Sequence, residues 1–398
     1  MKRRHLLAFV TMSMLILPTA LATIPAAVAD QPTVVASGLI NPKGFTWNTD
    51  GTLYVALADQ AGGANRPHVE PIPATPATAA APDASAQPTV PGIGETHAGT
   101  QTGSVVKIVD ACPVMVATGF PSATDPNLGW AFGVAGVAFL NGQLYALVDG
   151  GGASTQNADL PNGVYKVNDD GSHTLVADIS GWIHDNEVSD PHEPLTPDGE
   201  PFAMIAGKDA LWVTESNHEQ LLKITPDGTI TRVVDFSPLG DSVPTGLAMA
   251  PDGGVYVGFL SPLPWAEGTA KVMKVDANGK ATDVWTGLTA VTGVAVGSDG
   301  TLYASELTTG PDSGINPPFV IPGMGKVVKQ TGAASSTDVA TGLTAPTTLQ
   351  FGSDGGLYVG GPAIGAYNGE GMIVRLDASA TSAVDLSGIK PDTTCAKS

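Results

Sequence analysis

Positive charge is scarce in this chain. Lysine and arginine together number 18 in 398 residues, against 38 aspartates and glutamates, for a net charge of −20. That balance excludes nucleic acid and anionic membrane surfaces as electrostatic partners. Charged residues of either sign amount to 14 % and aromatics to 6 %. Apolar and β-branched residues remain plentiful, so the low charge does not mean disorder. Cysteine occurs twice, at Cys112 and Cys395, which excludes a CxxC redox pair and a thiolate zinc cage. No nucleophile elbow, P-loop or dinucleotide fingerprint is present, so the usual serine-hydrolase and nucleotide-dependent classes lose their sequence warrant. Beyond the first thirty residues no apolar run is long enough to span a bilayer.

What is abundant is glycine and proline, at 49 and 32 residues, as expected of a β-protein with many turns. The chain opens with the basic Lys2, Arg3 and Arg4, then the apolar stretch Leu6 to Leu17 and the small-x-small phrase Ala27-Val28-Ala29. This pattern predicts a signal peptide over residues 1–29, cleaved after Ala29. The Arg3-Arg4 pair leaves Sec and twin-arginine export both open. Loss of the three basic residues would take the net charge from −20 to −23. The remainder is expected to be secreted or extracytoplasmic, where Cys112 and Cys395 are free to pair.

One phrase recurs. "TGVAVGSDGTLYAS" (Thr292 to Ser305) returns as "TTLQFGSDGGLYVG" (Thr347 to Gly360), and related phrases begin at Gly44, Gly136, Ala203 and Gly246. Each has a short apolar run, a tight turn and an alternating run. The turn is often Asp-Gly or Asn-Gly, residues that tolerate the positive φ a hairpin demands. The alternating run carries an aromatic at one position: Tyr54, Tyr145, Trp212, Tyr256, Tyr303 and Tyr358. Two further strands complete each unit. Four-stranded units repeating about every 45 residues predict an all-β, six-bladed β-propeller of antiparallel blades, a single domain over residues 30–398. The aromatic column is expected between blades. Either Val34 to Leu39 or Thr381 to Leu386 can supply the outer strand that closes the last blade. Cys395 lies beyond that blade and Cys112 within the first, so a Cys112–Cys395 disulfide would staple the ring.

The tight turns should all lie on one face of the ring and the long connections on the other, where a rigid scaffold presents binding residues. The longest insertion, residues 59–103 in blade one, is rich in Ala, Pro and Thr and reads as a flexible loop. Just before each first strand stands one aligned residue at the channel mouth: Lys43, Ala135, Phe202, Thr245, Thr292 and Thr347. Propeller enzymes that hold a divalent metal place carboxylates and amides there, and this set has none. Substitute ligands would be Glu215 and Glu306, near the ends of second strands. A second candidate is "HDNEVSDPHEP", with His184, Asp185, Glu187, Asp190, His192 and Glu193 at short spacing but matching no zinc pattern.

The phrases "VVASGLINPKGFTWNTDGTLYVALA" and "VPTGLAMAPDGGVYVGFLSPLPWAEGTAKVMKVDANG" resemble the ScyD/ScyE family of exported bacterial proteins. The blade pattern is similar to NHL-repeat and gluconolactonase/regucalcin-like six-bladed propellers. The chain departs from the family before blade two, where Val134-Ala135-Gly136 replaces a Pro-His-Asp phrase. It departs again before blade three, where Glu200-Pro201-Phe202-Ala203 replaces Asn-Pro-Tyr-Gly. The resemblance implies an exported, non-catalytic binding or scaffold protein, with no cofactor. Its long-loop face would meet a protein, glycan or small-molecule ligand, and the protein is expected to act as a monomer. The alternative it implies is a gluconolactonase-like, metal-dependent lactonase or hydrolase.

Overall fold

The computed structural model describes residues 31–58, 99–124, 130–192, 196–262, 265–308, 322–366, 368–391 and 395. The leader and its cleavage point after Ala29 lie outside them. Among the described residues, six antiparallel sheets of at least four strands follow one another around a ring. Their innermost strands are Pro42–Trp47, Val134–Leu140, Pro201–Ala206, Pro244–Met249, Val291–Val296 and Thr348–Phe351. The fold is the six-bladed β-propeller that the repeats predict.

Local chemistry explains the repeat. In the first-to-second turn, the Asp50 carboxylate accepts from the Thr52 N–H at 2.8 Å, and Asp299 from Thr301 at 2.9 Å. Hydrogen bonds from Thr52, its side chain first and then its N–H, hold the Asp50 carboxyl below its usual range, and those from Thr301, N–H first, do the same for Asp299. Gly51 and Gly300 follow at φ 86° and 83°, where a side chain would be strained. The alternating second strand then buries one face: Leu53, Val55 and Leu57 in blade one, Leu302 and Ala304 in blade five. Each large side chain among them contributes roughly 1.5–3 kcal/mol on burial.

The aromatic column lies between blades. Tyr54 meets Phe139 of blade two edge-on at 5.1 Å, Tyr303 meets Phe351 of blade six at 5.2 Å, and Tyr358 meets Trp47 of blade one at 4.9 Å. Tyr145 shares a cluster with Met204, Trp212 with Leu247, and Tyr256 with Val294.

Closure uses both ends of the described chain. Thr33–Leu39 pairs antiparallel with Gly371–Leu376 and is the fourth strand of blade six. The competing segment goes elsewhere: Val384–Asp385 pairs in parallel with the outer strand of blade five, Ser335–Leu343. Beyond it, Cys395 is bonded to Cys112 with an S–S distance of 2.07 Å across a sequence separation of 283.

Two expected loops are shorter than the sequence suggests. The residues 59–103 insertion is described only from 99, and Thr100–Val109 is already a strand there. The Thr100 and Thr102 hydroxyls bind the Ser122 hydroxyl at 2.7 and 3.0 Å, which extends the sheet past Gly103. The connection after blade two begins as a helix, Ile179–Asp185, capped by the Asp178 carboxylate accepting from the Gly181 N–H at 2.7 Å.

Candidate functional site at the long-loop mouth

The six inner strands enclose a central cavity of ≈ 320 Å³. Glycine lets neighbouring strands approach at its wall. A Cβ on Gly246 would lie 2.7 Å from the Gly293 Cα, and one on Gly44 would lie 2.8 Å from the Gly136 Cα. Lys43, Ala135, Phe202, Thr292 and Thr347 line this cavity, and Thr245 stands at the same level beside the lining Gly246. Five of the six mouth residues are the second residue of an inner strand rather than the residue before it; only Thr347 precedes its strand.

The threonines at this level are structural. Thr245 Oγ1 donates to the Val291 carbonyl at 2.6 Å, and Thr292 Oγ1 to the Pro346 carbonyl at 2.7 Å. Each reaches the carbonyl just before the next blade's mouth residue, so the hydroxyl latches one blade to the next. Ser216 Oγ does the same toward the Pro244 carbonyl at 2.7 Å. Thr347 is the exception: its Oγ1 is buried without a partner among the described residues.

One step further out, a ring of backbone hydrogen bonds forms the rim. In five blades the residue following the second strand donates its N–H to the carbonyl two residues before the mouth residue. The pairs are Ala58 to Asn41 at 3.2 Å, Asp149 to Gly133 at 2.9 Å, Ser216 to Glu200 at 3.0 Å, Leu260 to Val243 at 2.8 Å and Leu307 to Ala290 at 2.9 Å. In blade six, Pro362 has no N–H, and Ala363 donates to Ala345 at 3.2 Å instead. The rim pairs of blades four to six are therefore wholly apolar. There Trp265, Ala290, Leu307 and Ala345 are buried together, with Trp130, Leu260 and Ile364 packed against them. The rim of blades one to three carries Asn41, Asp149, Glu200 and Ser216.

On that polar side, Lys43 Nζ lies 3.7 Å from Asp149 Oδ2, while Asp149 Oδ1 accepts from the Gly133 N–H at 2.5 Å. Burial pushes the Asp149 carboxyl up, opposed by the Lys43 charge. Glu200 is pushed up to about 7, first by burial and then by the Asp149 charge, with Lys43 opposing and Glu215 adding to the rise. Asn41 is fully buried; its Oδ1 accepts from the Ala366 N–H at 2.9 Å, but its Nδ2 has no partner among the described residues. Reading one aligned column along the chain misses Asn41, Asp149 and Glu200. They join the mouth only through cross-strand pairing. The departure at Glu200-Pro201-Phe202-Ala203 was the one signal pointing at Glu200.

The other sequence candidates do not assemble. Glu215 is fully buried and accepts from the N–H groups of Glu200 at 2.7 Å, Asn217 at 3.1 Å and His218 at 2.8 Å, and from Gln220 Nε2 at 3.2 Å. Glu306 accepts from the Thr289 N–H at 3.0 Å and lies 3.4 Å from Lys326 Nζ. Both are interior acceptors that organise loops. In the "HDNEVSDPHEP" stretch, His184 and Asp185 touch each other at 3.2 Å on the exposed end of the helix, with 79 % and 81 % of their side chains exposed. Glu187 and Asp190 are exposed, and the backbone there is pinned by Asp190 N–H donating to Ser237 Oγ at 3.0 Å. His192 turns away to Glu219, Nδ1 to Oε1 3.2 Å. Glu193 lies outside the described residues. Among the described residues no three His, Cys, Asp or Glu side chains converge as a metal cage. The mouth itself does not fit a divalent ion either: an ammonium occupies the ring, and two of its three hydroxyls are spent on carbonyls.

No known family profile matches the sequence, and no curated protein matches it. Similar solved structures include a candidate oxidoreductase (glucose dehydrogenase) from Thermus thermophilus, 16 % identical, with TM-score 0.51 over 87 % of this chain and 99 % of that one. A gluconolactonase from Xanthomonas campestris is 12 % identical, with TM-score 0.47 over 87 % and 89 %. Virginiamycin B lyase from Staphylococcus aureus is 13 % identical, with TM-score 0.42 over 87 % and 99 %. At these identities the likeness is one of fold. The class defined is the six-bladed β-propeller.

Proposed function

We propose that this is an exported, non-catalytic binding propeller of the ScyD/ScyE kind, released by cleavage after Ala29 and acting as a monomer. Its ligand meets the long-loop mouth. The observation that carries this reading is the chemistry of the mouth ring. Where a metal-dependent hydrolase needs carboxylate and amide ligands, Thr245 and Thr292 latch blades, and Lys43 is paired with Asp149. What remains is a shaped cavity with a few polar groups on one side, the usual make-up of a small-molecule site. The gluconolactonase-like alternative is disfavoured by the same ring.

The test combines two measurements on the purified mature chain. Elemental analysis after growth with added calcium, manganese and zinc is expected to find no stoichiometric ion. A thermal-shift screen is expected to find ligands that raise the melting temperature, because a ligand binding only the folded form stabilises it. Lactone turnover by a metal-loaded protein, lost on Glu200→Gln, would overturn the reading.

A further inference from the structure

Among the residues that line the central cavity, Lys43 alone carries a charge. Its side chain is 18 % exposed, and its Nζ lies 3.7 Å from Asp149 Oδ2. That separation makes an ion pair but is too long for a good hydrogen bond. Asp149 is not one of the lining residues, and its Oδ1 is taken by the Gly133 N–H. The pair is neutral in sum, yet only its donor half reaches the cavity. The other wall groups compete little at this level. Thr292 spends its hydroxyl on the Pro346 carbonyl, and the Thr347 hydroxyl is buried. Thr46, Thr348 and Gln350 stand further along their strands.

The neighbours of Lys43 give this part of the mouth a shape. The next mouth residue around the ring, Ala135, carries a methyl alone, and the one after it is Phe202; both line the cavity. A small residue between a cation and an aromatic ring leaves a notch. The half-buried Ile205, Met249, Val296 and Phe351 continue the wall beyond it. The wall thus presents a strong N–H donor at one point of the mouth and apolar groups around it.

Resting on the binding reading above, we propose that the mouth takes a small neutral molecule with an apolar, ring-sized body and one carbonyl oxygen, an amide or ketone in chemical class. The carbonyl oxygen accepts from Lys43 Nζ, and the body lies against Phe202 and the apolar wall. A cation would meet the Lys43 charge. A carboxylate would answer Lys43 but bring a second negative charge beside Asp149. A sugar would bury hydroxyls against groups that cannot pair them, at a cost for each. The cavity, at ≈ 320 Å³, is of the size that small ligands occupy, and such sites combine apolar walls with a few placed polar groups.

The probes are phenylacetamide, phenylacetate and phenethylamine, three head groups on one body. Each is titrated against the mature full-length protein at pH 7 and followed by ligand-observed NMR. Phenylacetamide is expected to bind roughly tenfold tighter than either charged probe. Lys43→Met keeps the length of the side chain and removes the ammonium. It should weaken phenylacetamide roughly tenfold, the usual worth of a charge-assisted hydrogen bond. Phe202→Ala should weaken all three probes several-fold and keep their order, since each loses the same aromatic contact. Phe202 belongs to none of the buried clusters, which keeps a decisive variant available if Lys43→Met fails to fold. No binding of phenylacetamide, or binding indifferent to either variant, would overturn the proposal. Tighter binding of phenylacetate or phenethylamine would overturn the neutral class and leave the binding propeller standing. A stoichiometric metal with lactone turnover would remove both.

Discussion

The two halves of the long-loop rim are built on the same ring of backbone hydrogen bonds and do opposite things. In blades four to six every rim residue is apolar, and Trp265 with Trp130 seals that side into a small second core. In blades one to three the same positions hold Asn41, Asp149, Glu200 and Ser216, and two carboxyls are pushed up by burial. A fold that repeats exerts no pressure for its rim to be uniform. The apolar half of the rim is a stability device, because its rim residues carry no polar side chain that needs a partner. The polar half holds groups whose needs are unmet in the isolated chain, the common mark of a ligand site. Substitutions should therefore separate cleanly: stability losses from one half, pH and ligand effects from the other.

The largest loss should come from the apolar half. Trp265 is 4 % exposed within its cluster, and Trp265→Ala is expected to cost about 3–5 kcal/mol, read as a lower urea midpoint. Ligand selectivity should be unchanged, and a change in it would break the separation of roles. Next is the junction between the halves, at blades six and one. Cys112→Ser with Cys395→Ser opens the bond that ties the chain's last described residue to blade one. A cost of about 2–5 kcal/mol is expected, with the melting temperature falling to the value of the reduced parent protein.

Glu200 tests the polar half by its pH dependence. Its folded carboxyl is raised to about 7 from 4.5. A group raised on folding contributes its stability in full below the unfolded value and loses it as pH climbs through the folded one. The full shift would correspond to about 3 kcal/mol. The side chain is only partly buried, so about 1–2 kcal/mol is the fitting expectation after solvent screening. Glu200→Gln should match the parent near pH 4 and exceed it by that amount at pH 9. Parallel stability curves would show that Glu200 is already paired, and would undercut the contrast between the halves.

Much of this was legible in the sequence, for a physical reason. Asp-Gly turns and the aromatic column act within one blade or between neighbours, and the repeat displays them several times over. The mouth column from Lys43 to Thr347 was found the same way, and so was its lack of metal ligands. Glu200 and Asp149 were not, because each sits on the rim of its own blade and the two draw near only when neighbouring blades pack around the ring. Ring closure was ambiguous because Val34 to Leu39 and Thr381 to Leu386 both read as outer strands, and outer strands carry the weakest pattern. The stretch from His184 to His192 misled because spacing along a chain says nothing of a helix end that turns two of its residues to solvent.

The smallest effect, that of Thr347→Val, is the most diagnostic, because one residue type stands at one structural position in two neighbouring blades. Thr292, in blade five, spends its hydroxyl on the Pro346 carbonyl at 2.7 Å and touches Ser305 Oγ at 3.1 Å. Thr347, facing blade one, spends its hydroxyl on nothing. Valine matches threonine in shape and removes only the hydroxyl. Thr292→Val leaves a buried carbonyl short of its donor and should cost about 1–3 kcal/mol. Thr347→Val removes an orphan whose burial is unfavourable, and should be neutral or stabilising by up to about 1 kcal/mol. Opposite signs in a paired urea titration are the expected result. If both variants lose stability, Thr347 is a latch like the others, and the mouth has one fewer unpartnered group.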